Sequence, residues 1–195
     1  MSERYDQFAQ VSGAPVPGVL PMREGRNARS EESEGGTQSE SPIVALRVPT
    51  VEAMRALGAA FGRVAQAGDV FLLEGPFGAG KTTFVQGLAA GLDITESVSS
   101  PSFVLENQYH GRLPLYHVDL YRLQHLDHAF LAELEEDLFG EGVSAVEWPE
   151  HLPPELREGA SLLHFSVLDD RTRLVALATG AERISSVARS GWRAP

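Results

Sequence analysis

Cysteine is absent from this chain, and lysine occurs only at position 81. The first absence excludes disulfides, thiolate nucleophiles and cysteine-based zinc sites. The second is a matter of kind: lysine and arginine together number 16, so fifteen of the basic residues are arginine. Basic charge as a whole is in deficit, with a formal net charge of −11. That argues against broad, salt-driven binding to nucleic acid, and leaves open docking to a protein that itself holds RNA. Long apolar runs are also missing, since no segment approaches the roughly 20 residues that span a bilayer. The opening residues 1–6 lack the charged-then-apolar layout of a signal peptide. The expectation is a cytoplasmic protein with no membrane contact. Six histidines are present, but none is paired at the His-x-x-x-His spacing of a helical metal site, and they suggest no role.

What the chain does contain is enough apolar residue, 43% of 195, to build one core. Residues 1–42 are rich in Gly, Ser, Glu and Pro without apolar period, and read as a disordered extension. Residues 43–180 read as the folded domain, and residues 181–195 as a flexible tail. Inside the domain, strands are expected at 43–48, 70–73, 103–109, 115–119, 143–147, 162–168 and 174–178. Helices are expected from about 50 to 67, 81 to 92 and 127 to 138, with a helical turn at 155–158. This alternation predicts an α/β fold: a P-loop NTPase-type three-layer sandwich with a mostly parallel central sheet and a C-terminal antiparallel hairpin.

Between the second strand and second helix lies Gly75-Pro-Phe-Gly78-Ala79-Gly80-Lys81-Thr82, which fits Gly-x-x-x-x-Gly-Lys-Thr. Glycines there permit turns in which several backbone N–H groups face a triphosphate, and the following helix adds its positive end. Lys81 reaches the β- and γ-phosphates and Thr82 can ligate magnesium. A compact ammonium suits that position better than a planar guanidinium, so the only lysine stands where lysine is needed. Thr83 offers a hydroxyl toward the α-phosphate or a helix cap.

Magnesium needs further oxygen contacts, usually from an acid at a neighbouring strand end. Asp119 and Glu147 each end an apolar strand, and ligands of open α/β sheets sit beyond the carboxyl ends of strands. One acid would hold the metal and the other orient or deprotonate the attacking water. Trp148 follows Glu147 and suits either stacking on a purine or core packing. Arg122 suits a phosphate or a carboxylate of the fold. A guanine-reading Asn-Lys-x-Asp motif needs a second lysine, so the nucleotide is read as ATP. A small-molecule kinase would need an arginine-rich lid, and Arg122 is the only arginine between Arg112 and Arg157. A non-catalytic nucleotide-binding scaffold stays open.

Four blocks, residues 78–84, Ser100-Pro101-Ser102-Phe103, His117-Val-Asp119-Leu-Tyr-Arg122-Leu123 and Val146-Glu147-Trp148-Pro149-Glu150, resemble in order and spacing the bacterial TsaE (YjeE) family. The resemblance runs from about Val44 to about Leu168. It implies a small P-loop ATPase serving threonylcarbamoyl adenosine formation in tRNA. It also implies TsaD-like and TsaB-like partners whose complex is reset by hydrolysis, with tRNA met through that complex. By the same resemblance, Gly78, Ala79, Gly80, Lys81, Thr82, Thr83 and Trp148 are nucleotide residues and Thr82 and Glu147 are magnesium residues. Asp119, with Lys81, is assigned to hydrolysis, and residues 100–103 form a switch-like loop. Two departures stand out: Ser102 where the family usually has threonine, and Glu133 where a glycine is expected.

Overall fold

A computed structural model describes residues 44–102, 104–122 and 128–190. The expected disordered extension (1–42), Phe103, the start of the third helix at Asp127 and residues 191–195 lie outside them. Seven strands form one sheet in the order β1-β7-β6-β2-β5-β4-β3: β1 Val44–Val48, β2 Asp69–Glu74, β3 Glu106–Tyr109, β4 Leu115–Asp119, β5 Val143–Glu147, β6 Ser161–Val167 and β7 Arg173–Thr179. The four central strands β6, β2, β5 and β4 run parallel, and β3, β7 and β1 are antiparallel to their neighbours. The mostly parallel sheet and the closing hairpin β6–β7 are as the alternation predicts.

One apolar layer packs helices α1 (Val51–Val64), α2 (Lys81–Gly91) and α4 (Glu182–Arg189) on the sheet, around Phe61, Phe71, Phe84 and Phe165. The other face is covered by α3 (His128–Leu138) and by two short 3₁₀ turns, around Leu72, Leu134, Leu138 and Val146. Helix α1 starts because the Thr50 hydroxyl accepts a hydrogen bond from the Ala53 amide at 3.1 Å, an N-cap. It stops at Val64, short of the expected end near 67. There the Ala65 amide closes onto Phe61 and Gly62, and Asp69 accepts from the Gln66 amide to turn the chain into β2.

The α1–α2 contact fixes the helix that carries the lysine. Gly58 and Gly62 on α1 face Gly87 and Gly91 on α2, each pair four residues apart. A Cβ at Gly58 would lie 2.1 Å from the Phe84 carbonyl oxygen, and one at Gly87 would lie 2.1 Å from that of Arg55. Only the lack of side chains lets these backbones approach so closely.

Two expectations need correction. Strand β3 begins at Glu106, because the amides of Val104 and Leu105 both turn back onto the Pro101 carbonyl and Leu105 adopts φ 70°. The tail expected from residue 181 is instead helical over Glu182–Arg189. Its Ile184 and Ala188 are buried at i, i+4 spacing, and Arg183 pairs with Asp69. Two apolar anchors in a short polar stretch make too weak a period to mark a helix.

At the sheet edge, Glu106 is half-buried and hydrogen-bonded to Asp137 of α3. Burial, with Asp137 and Glu133 adding repulsion, pushes its carboxyl up to about 7. A carboxyl whose folded value is raised destabilises the fold as pH climbs from its unfolded value, near 4.5, through that higher value. Glu106→Gln is therefore expected to raise the melting temperature at pH 8 and to lose that advantage at pH 4.5. Solvent screening at this half-exposed site limits the gain to about 1 kcal/mol. Equal effects at both pH values in thermal melts would refute it.

Candidate functional site

Strand β2 delivers the chain into the loop at 75–80, and α2 leaves it. Gly75 has φ 149° and a Cβ there would meet the Phe165 carbonyl at 2.4 Å. Gly80, at φ 100°, is the N-cap of α2 in a left-handed conformation that a side chain would strain. Together they let the loop wrap and present the first-turn amides of α2, while Ala79 is fully buried beneath them. Lys81 is the first residue of that helix and is 5% exposed. Its Nζ donates to the carbonyls of Gly75 at 2.6 Å and Pro76 at 3.2 Å, and lies 4.0 Å from the centre of the Trp148 ring. Burial pulls its pKa down; the negative charges of Glu147, Asp119 and Glu150 pull it back.

Parallel strands β4 and β5 are in register such that Asp119 pairs with Glu147 across the ladder. Both strand-end acids therefore reach the same edge as the loop and both are nearly buried, at 4% exposure. Glu147 Oε1 accepts from the Thr82 hydroxyl at 2.7 Å, which joins the carboxylate to the helix of Lys81. Asp119 Oδ2 accepts from the hydroxyls of Ser100 at 2.7 Å and Ser102 at 2.6 Å, and its Oδ1 accepts from the Tyr121 amide at 3.1 Å. Burial raises the Asp119 pKa, but these hydrogen bonds outweigh it and hold the group below its ordinary value. Such a carboxylate stays ionised at neutral pH. It is suited to orienting a water or a cation and is a poor proton acceptor.

Hard oxygens from Thr82, Glu147 and Asp119 suit magnesium, which prefers oxygen ligands and keeps several waters. Among the described residues no three acid or imidazole groups gather into a metal site unaided. A cation here would complete its shell with phosphate oxygens and water.

The structure brings Lys81, Thr82, Asp119, Glu147 and Trp148 around one loop. Thr83 sits a step away, on the wall of an adjoining cleft. Trp148 adopts φ 61° and packs at a tilt against Phe77 and Tyr121, with ring centres 5.2 and 5.0 Å away, at the Lys81 end of the loop.

Three contributions escape a reading of the sequence. His117, fully buried, places Nε2 3.0 Å from Glu147 Oε1. It stands two residues before Asp119 on β4, so period-two alternation puts both on one face, and that is the signal the sequence offers. Ser100 and Ser102 are legible as a motif but not as partners of Asp119. Arg173, from the far hairpin, donates Nε to the Gly78 carbonyl at 3.1 Å. Nothing local to the loop announces it.

A family model described as "Threonylcarbamoyl adenosine biosynthesis protein TsaE" matches residues 48–175. The tRNA threonylcarbamoyladenosine biosynthesis protein TsaE of Treponema pallidum is 44% identical over 121 residues, 62% of this chain and 90% of that protein. The protein of the same name from Nostoc is 48% identical over 104 residues, 50% of this chain and 62% of its own length. A crystal structure of Bacillus subtilis YdiB superposes with a TM-score of 0.61 at 32% identity, covering 76% of this chain and 93% of that one.

Proposed function

The chain belongs to the TsaE family of threonylcarbamoyl adenosine biosynthesis proteins, and on that footing we propose that it is a magnesium-dependent ATP hydrolase serving this tRNA modification. One observation carries the reading most directly: the Thr82 hydroxyl lies 2.7 Å from Glu147 Oε1. A phosphate-loop threonine and a strand-end acid within hydrogen-bond distance of each other are the protein oxygens that a phosphate-bound divalent cation requires.

In this reading Gly78, Ala79, Gly80 and the first turn of α2 cradle the phosphates with backbone amides. Lys81 exchanges its carbonyl contacts for the β- and γ-phosphate oxygens, and Thr83 serves the α-phosphate. Thr82 and Glu147 hold magnesium, which when bound neutralises charge developing on the transferred phosphoryl group. Asp119 orients the attacking water; its depressed pKa favours orientation over deprotonation. The loop carrying Ser100 and Ser102 donates two hydrogen bonds to that same carboxylate, so a partner that moves the loop changes the hydrogen bonding of Asp119. This supports slow intrinsic hydrolysis raised by TsaD-like and TsaB-like proteins in the cytoplasm, with hydrolysis resetting their complex and tRNA met through it. Among the described residues no helix is long and apolar enough to cross a membrane.

The test is phosphate release from ATP by the full chain, with magnesium or with a chelator, alone and with the TsaD and TsaB homologues of its source. Magnesium-dependent release that rises on adding both proteins is expected. Formation of a phosphorylated small molecule in place of free phosphate, or no release under any condition, would overturn the reading.

A further inference from the structure

Alternation along β4 puts Leu115, His117 and Asp119 on one face of the strand. That face belongs to the apolar layer under α1 and α2, since Leu115 packs there with Val143 and Ala145 of β5. His117 is fully buried in it. Across the ladder His117 stands opposite Ala145, and Glu147 lies two residues further along the same face of β5. Ala145 offers only a methyl group, so the imidazole leans past it along the strand direction and brings Nε2 to 3.0 Å from Glu147 Oε1.

This hydrogen bond has one polarity. A carboxylate only accepts, so Nε2 carries the proton and Nδ1 is left as a bare acceptor. Nδ1 is sealed from water and has no partner among the described residues. For a residue that only fills space this is unfavourable, because a buried acceptor without a donor loses the hydrogen bonds that water gave it. Leu115 and Val118 fill neighbouring positions of the same strand, fully buried, with aliphatic side chains that carry no such penalty. The imidazole therefore needs a reason beyond packing, and its bond to Glu147 supplies one.

Glu147 Oε1 accepts from two elements at once: the Thr82 hydroxyl of α2 at 2.7 Å and His117 Nε2 of β4 at 3.0 Å. A glutamate side chain has several torsions to order, and ordering them opposes binding unless they are fixed beforehand. The two donors are not equivalent. Thr82 is itself an oxygen that a cation recruits, so its contact with Glu147 is rearranged as the metal arrives. His117 reaches the carboxylate from inside the sheet and keeps its bond throughout.

We propose that His117 is a positioning residue for the cation: it holds Glu147 ready to meet the metal and touches neither metal nor nucleotide itself. The proposal rests on the magnesium reading above. Its test is titration calorimetry on the full chain with a non-hydrolysable β,γ-imido analogue of ATP, once with magnesium and once with a chelator. The ratio of the two dissociation constants is what magnesium contributes. His117→Leu removes the donor and keeps an apolar side chain in the layer. It is expected to lower that ratio about ten-fold, while the affinity in chelator stays near that of the wild type. His117→Gln carries an amide N–H near the former Nε2 position and is expected to restore most of the ratio. His117→Asn is too short to reach Oε1; it is expected to match His117→Leu, and replaces it in the comparison should His117→Leu fail to fold. An unchanged ratio in His117→Leu, or an equal loss of affinity with magnesium and with chelator, overturns the assignment and leaves the magnesium reading standing. So does a ratio in His117→Gln no better than in His117→Leu or His117→Asn. If magnesium does not tighten the wild type's hold on the analogue, the magnesium reading falls and this inference with it.

Discussion

Lys81→Ala is expected to weaken ATP binding by roughly two orders of magnitude, since hydrogen bonds from a charged donor are among the strongest contributors to affinity. The chain has no other lysine to substitute. Its Nζ is held by two loop carbonyls and the Trp148 face, and attracted by Glu147, Asp119 and Glu150. This places one ammonium, nearly sealed from water, where the phosphates would lie. Lys81→Arg is expected to fare little better. The guanidinium is a wide planar fork, and a site 5% exposed and closed by an indole leaves it no room. Titration calorimetry reads the affinity, and circular dichroism checks that the fold persists. Unchanged affinity in folded Lys81→Ala would remove the basis for assigning the loop to phosphates.

Asp119→Asn should separate turnover from binding. Hydrolysis is expected to fall about 100-fold while ATP affinity changes only a few-fold, the pattern of a group acting mainly in the transition state. The carboxylate accepts three hydrogen bonds, two on Oδ2 from Ser100 and Ser102 and one on Oδ1 from the Tyr121 amide. An amide has one acceptor oxygen, so some of these donors lose their partner and the serine loop loosens. The pH dependence follows from the direction of the shift. Burial raises the Asp119 value, and its hydrogen bonds more than offset this, leaving it net lowered. The ionised form then persists below the ordinary carboxylate range. Activity is expected to stay level through neutral pH and to fall only in acid, where protonation also removes what this carboxylate contributes to stability. A fall already present near pH 6 would contradict the role, as would turnover in Asp119→Asn equal to wild type.

Much of the site is legible in the sequence because it depends on local chemistry. The loop at 75–82 announces itself, as glycine and lysine at fixed spacing after an apolar strand leave few other readings. Strands β4 and β5 can be bounded to the residue, since short, mostly apolar runs ending in an acid, interrupted only by His117 and Ser144, suit buried parallel strands. Strand β3 starts later than its side chains suggest, because Val104 and Leu105 have strand-like side chains but a turn's backbone. The polar segment after 180 hides a helix whose two buried residues matter only once α1, β1 and β7 exist to receive them.

The order of residues alone lays out a phosphate-loop pattern, two strand-end acids and a serine-bearing segment, because each is a short pattern with its own physical reason. Folding in three dimensions is what sets Asp119 and Glu147 level across the β4–β5 ladder and lets His117 buttress Glu147. The same holds for Ser100 and Ser102 closing on Asp119. It also holds for Trp148, which covers the lysine while a hairpin nearly a hundred residues downstream walls the opposite side of the loop. Those facts depend on strand register and on backbones brought close by facing glycines, which are relations between distant segments that no local pattern encodes.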